Sequence, residues 1–174
     1  MERSHRSEIK EYEDRWILRP MRGARVVHTI WRPEQVELEM DTSFRIVVGY
    51  GAEMAQGAIA EDFPGRHSIS YWARAEVERM VSAPILSPVF FKSGSMRIGF
   101  GNGWTLFVSG HHPEVSAAVF FGDTLLWNRS GLVGHAGFSV VAVDPWTGQR
   151  IDGPPWPSRP RDIDFNNGSD DING

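Results

Sequence analysis

Met96-Arg97-Ile98-Gly99-Phe100-Gly101-Asn102-Gly103-Trp104-Thr105-Leu106-Phe107-Val108 alternates apolar with other side chains on both sides of a glycine-rich turn, the pattern of a β-hairpin with one buried face. A two-residue Asn102-Gly103 turn would set Leu106 opposite Gly99 and scatter the apolar set over both faces. A three-residue loop, Gly101 to Gly103, instead sets Ile98 opposite Leu106 and Met96 opposite Val108, with Gly103 free to take the left-handed conformation. That register buries one coherent face and is the expected one. The same pattern occurs 60 positions earlier, where Val36, Leu38 and Met40 match Met96, Ile98 and Phe100, and Phe44, Ile46 and Val48 match Trp104, Leu106 and Val108. Upstream, Ile30-Trp31-Arg32 matches Phe90-Phe91-Lys92, so each copy reads as a three-stranded meander. The earlier copy has Asp41-Thr42-Ser43 at its turn and no glycine there, so it should turn differently.

The expected fold is mainly β (α+β): two related three-stranded antiparallel meanders, at about 25 to 50 and 86 to 109, packed as a sandwich or open barrel. One helix is expected between them, over Tyr71 to Ser82 with Ser70 as its cap, because Ala73, Val77, Met80 and Val81 share a face and Pro84 ends the pattern. The first 19 residues, with Ile9, Tyr12, Trp16 and Ile17 near helical spacing, read as an amphipathic N-terminal helix ending before Pro20. Gly49 to Gly65 reads as a loop or short irregular strand. Further strands are expected at Val115 to Phe121, Thr124 to Asn128 and Phe138 to Val143, the last followed by an Asp144-Pro145-Trp146-Thr147-Gly148 turn. Residues 1 to 157 form one β-rich domain in this reading, and 158 to 174 an acidic, disordered tail.

Composition narrows the function. A chain of 174 residues is long enough for one domain with a real core. With no cysteine there is no disulfide, thiolate metal site or cysteine nucleophile. The charged start lacks an export-type apolar run and no later stretch is long enough to span a bilayer, so the expected location is the cytoplasm. The net charge of −4 resides in Asp162, Asp164, Asp170 and Asp171, which leaves residues 1 to 161 without net formal charge. A nucleic-acid binder would carry a basic surplus on its body. Local clusters such as Arg15, Arg19, Arg22 and Arg25 could form a patch, but read as a solvated helix or loop face.

Each catalytic motif falls short at a definable point. His111-His112-Pro113-Glu114 has metal-ligand chemistry, but adjacent imidazoles on an extended chain point apart, so only one could join Glu114 or a distant His28, His67 or His135. Gly99 to Gly103 resembles a phosphate loop, yet a strand follows where a helix N-terminus is required. Asp162 to Gly168 lacks the closing glutamate of a calcium loop. Ser93, Ser95 and Ser130 have no nucleophile elbow and no visible base. Glu114, Asp123 and Asp144 could form a carboxylate site only if the fold brought them together. Of seven tryptophans, Trp31 and Trp104 fall at strand positions and read as core, whereas Trp127, Trp146 and Trp156 fall in or beside turns, where a large ring anchors an interface.

The second hairpin, Gly94-Ser95-Met96 through Val108, preceded by a helix and an earlier similar hairpin, resembles small uncharacterised bacterial β-rich proteins with the pattern Gly-x-Leu-x-Leu-x-Phe-x-Asp-Gly-x-x-Leu-x-Val. The likeness covers roughly residues 24 to 131, with Asn102 in place of the usual Asp and Glu114 alone remaining of a Tyr-Glu-x-Trp segment. Some members look like immunity proteins that neutralise a toxin. The resemblance implies a non-enzymatic protein-binding protein, an antitoxin occluding a toxin's active site, and the motifs, charge and hydropathy add the expectation of no cofactor and no nucleic-acid or membrane partner. Trp127, Trp146, Trp156, Glu114 and Asp123 are the expected binding residues, with His111 and His112 as the metal candidates. Two other readings stay open: a small-ligand-binding scaffold with a cavity between the meanders, and an enzyme using the carboxylates and histidines.

Overall fold

The computed structural model describes residues 8–57 and 65–157. The expectation of a disordered tail and the calcium-like run both lie outside the described residues. The first meander is β3 (Val26–Trp31), β4 (Gln35–Met40) and β5 (Phe44–Gly49); the second is β8 (Ile85–Phe91), β9 (Met96–Phe100) and β10 (Trp104–Val108). Each meander lies at the heart of, or along one edge of, a different sheet. The first continues through β11 (Ala117–Phe121), β12 (Thr124–Asn128) and β13 (Gly131–Leu132), in the order β13-β12-β11-β5-β4-β3. The second joins β1 (Glu8–Glu11), β2 (Arg15–Leu18), β6 (Glu53–Gln56), β7 (His67–Ser68) and β14 (Ser139–Ala142), in the order β14-β1-β2-β8-β9-β10-β6-β7. Only the β1–β14 pair is parallel among the described residues.

Alternation dictates the packing. Val36, Leu38, Phe44, Ile46 and Val48 from one sheet and Met96, Ile98, Phe100, Leu106 and Val108 from the other are buried in one continuous apolar cluster. The Phe90 and Trp127 rings, one from each sheet, meet with centroids 5.0 Å apart. The sheets thus share a single core, as a two-sheet β fold requires. Pro88 is tolerated in β8 because β2 pairs with that strand only at Val89, Phe90 and Phe91.

The decisive hairpin has the three-residue loop, with Ile98 opposite Leu106 and Met96 opposite Val108. Gly103 has φ +88°, which a residue with a Cβ rarely adopts. The earlier hairpin keeps the equivalent register, Leu38 opposite Ile46, but uses no left-handed residue. There, Asp41 accepts from the Arg25 backbone N–H (3.0 Å) and its own N–H donates to the Arg25 carbonyl (2.8 Å).

Three expectations are corrected. Residues 8 to 18 are no helix; they form the β1–β2 hairpin, in which Ile9 and Leu18 pair and are fully buried. The open side of β8 offers β2 backbone partners that a surface helix would leave unpaired, so tertiary pairing overrides the local spacing. The helix α1 spans only Arg74–Met80; Ser70 lies in a preceding 3₁₀ turn, Ile69–Tyr71, and the N-cap is Ala73 without a side-chain hydrogen bond. Within Gly49 to Gly65, Glu53–Gln56 is a regular strand against β10.

Asn102 ties the turn to the helix. Its Nδ2 donates to the carbonyls of Met80 (3.0 Å) and Arg79 (3.4 Å), while its Oδ1 accepts from the Trp104 N–H (3.2 Å). One side chain thus closes the hairpin and adds a donor at the C-terminal end of α1, where the Arg79 carbonyl also accepts from Ser82. Leu106→Ala is expected to lower unfolding free energy by about 2–5 kcal/mol through lost transfer and cavity terms, and Asn102→Ala by about 1 kcal/mol, both measured by urea denaturation.

Candidate functional site

The expected binding residues do not assemble. Trp127 is fully buried against Phe90 in the core, so the anchor role expected for it is corrected. A turn follows β12 there, but the strand's inward face carries the ring. Trp146 is 48% exposed, in a turn closed by Asp144, whose Oδ1 accepts from the backbone N–H groups of Trp146 (2.8 Å) and Thr147 (3.4 Å). Trp156 is half-buried and folded down onto the sheet, its ring centroid 4.1 Å from the Lys92 ammonium. Lys92 also reaches Glu11 (2.8 Å) and the Trp16 ring (5.2 Å), so Trp156 belongs to an internal clasp.

Glu114 precedes β11 and Asp123 follows it, so the two carboxylates lie beyond opposite ends of a five-residue strand. With the Asp144 carboxylate engaged in its own turn, the three acids form no common site. His111 and His112 are exposed, and His112 Nδ1 lies 3.4 Å from Glu114 Oε1. Among the described residues no three His, Cys, Asp or Glu side chains come together to hold a metal ion. Arg129, near this loop, has its guanidinium pKa lowered by desolvation, with the Glu114 charge acting in the opposite direction.

A different cluster does converge. The 3₁₀ turn at Ile69–Tyr71 is fastened by buried Ile69, which leaves Tyr71 64% exposed and sets Trp72 at the foot of α1. The rings form a row: His67 stacks on Tyr71 (3.9 Å), Tyr71 meets Trp72 edge to face (5.2 Å), and Trp72 meets Trp104 likewise (5.6 Å). Between Trp72, Trp104 and the side of α1 lies an open cavity of about 270 Å³, lined also by Glu76, Arg79 and Met80. Val77 and Met80 hold the helix to the core, and Asn102 fixes its far end.

The two flanks of α1 differ in chemistry. On the side toward β3, Glu78 accepts from the Trp31 indole N–H (3.0 Å) and Arg74 lies over the Trp31 ring (5.2 Å). Tyr50 stacks on the same indole. Toward the cavity, Glu76 and Arg79 form no ion pair with each other, and neither side chain has a hydrogen-bond partner among the described residues. The indole N–H of Trp72 is buried with no hydrogen-bond partner among the described residues. Apolar walls beside a cation and an anion that are unpaired among the described residues equip this cavity for binding a group that is partly apolar and partly charged.

Sequence reasoning placed Trp104 in the core and passed over Tyr71-Trp72. The available signal was the pair of large aromatic residues directly before a short helix whose Glu76 and Arg79 lie off the apolar face. Comparisons with known proteins return no matching family model, no matching curated protein and no matching solved structure. Among the described residues no helix is long and apolar enough to cross a membrane. Trp127→Ala is expected to cost about 3–5 kcal/mol of stability, read from the denaturation midpoint, whereas an interface anchor would leave stability nearly unchanged.

Proposed function

We propose that this chain is a non-enzymatic protein-binding protein whose recognition face is the aromatic row and cavity beside α1. The observation that carries the reading is the coincidence of Tyr71, Trp72, Trp104 and Arg79 on one surface, with the charged groups unpaired among the described residues. Tryptophan, tyrosine and arginine are the residues that dominate binding energy at protein interfaces. The rings are held by one another and by the 3₁₀ turn, so little side-chain entropy is lost when a partner covers them. The filled core between the meanders favours surface recognition over carriage of a ligand inside the sandwich. The separation of Glu114 from Asp123 likewise favours binding over carboxylate catalysis. The specific form implied by the hairpin resemblance, an immunity protein that occludes a toxin's active site, is part of this proposal.

Affinity purification from the native host, with the full chain and its Tyr71→Ala variant as parallel baits, tests the reading. The expected result is a stoichiometric protein partner on the unaltered bait and about tenfold less on the variant, with the thermal midpoint lowered only slightly because most of the ring is exposed. Equal recovery on both baits, or a co-purifying small molecule with no protein, contradicts it.

A further inference from the structure

Resting on the reading of this face as a protein-binding surface, we propose that the partner seated on it is a second copy of the same chain, docked about a two-fold axis with the α1 helices antiparallel. The argument begins with the charges. Glu76 and Arg79 stand three residues apart on one helix, line one cavity, and are unpaired among the described residues. A two-fold axis crossing the helix between them brings Glu76 of each copy opposite Arg79 of the other, so both charges are satisfied at once by an identical surface. Isologous contact of this kind is the commonest way that soluble chains assemble.

Shape supports the same occupant. The surface carries both a projection and a recess: Tyr71 stands 64% exposed beside Trp72, which is itself a wall of the cavity. A projection and a recess on one face are self-complementary under a two-fold axis, each Tyr71 lying over the other copy's recess. Leu86, 58% exposed, lies against Gly101 in the turn whose Asn102 caps α1, and extends the apolar part of the face. An unrelated partner would need to supply separately an apolar group, a cation for Glu76 and an anion for Arg79; a second copy supplies all three.

Sedimentation equilibrium of the full chain over a wide micromolar range, with charge-reversed variants, decides the matter. The unaltered chain is expected to dimerise reversibly. Glu76→Arg alone and Arg79→Glu alone should each weaken self-association about tenfold or more, since each sets like charges opposite one another twice. Mixing these two single variants in equal amounts should restore the dimer, because each then meets the opposite charge at both contacts; the double variant should also dimerise. Restoration on mixing shows in addition that both single variants are folded. A chain monomeric throughout, a dimer insensitive to the single reversals, or a mixture that stays monomeric overturns the proposal. If the chain is monomeric yet retrieves another protein through Tyr71, the second-copy partner falls and the protein-binding reading stands. If Tyr71 affects no recovery either, both fall.

Discussion

Strict alternation of apolar side chains, used once in each sheet, is the constraint on which the rest of this molecule depends. Neither sheet can leave its inner face in water, and the two inner faces carry the same kind of hairpin, so each becomes the cover for the other. Everything else is arranged around that closure. The hairpin β1–β2 extends one sheet, β11 to β13 extend the other, and α1 packs Val77 and Met80 onto the shared core beside the turn of the second hairpin. The link between α1 and that turn runs through Asn102, so the same loop that fixes the hairpin register also positions the candidate site.

What could be read in advance follows from where the physical information is local. Register in the second hairpin was legible because only one pairing buries Ile98 with Leu106, and Gly103 supplies the conformation that this pairing needs. The N-terminal hairpin was not legible, because Ile9, Trp16 and Ile17 satisfy helical and strand spacing about equally, and the choice is made by β8, which is remote in sequence. Trp127 misled for a related reason: position beside a turn says nothing about which face of β12 bears the ring, and its partner Phe90 lies in the other sheet. The aromatic site was hidden because Trp72, just before α1, meets Trp104, the first residue of β10, only in the folded chain.

The candidate face is defined by contrast within one short helix. Arg74 and Glu78 are engaged with Trp31, which fixes α1 against the edge of the six-stranded sheet. Glu76 and Arg79, on the cavity side, form no ion pair among the described residues, although helix positions three apart can pair. Groups of opposite charge beside exposed aromatic rings cost little in water and gain value only when a partner displaces that water. The account thus divides the side chains of α1 between a structural flank and a recognition flank, with the core beneath both.

Native-state hydrogen exchange tests the central claim, a single core built from two copies of one hairpin, most directly. If the account is right, the slowest amides of β5 and of β10 exchange only through global unfolding, with the same free energy and the same dependence on denaturant. If the amides of one meander exchange at a clearly lower free energy while the other stays protected, the two hairpins do not share one core and the account is contradicted.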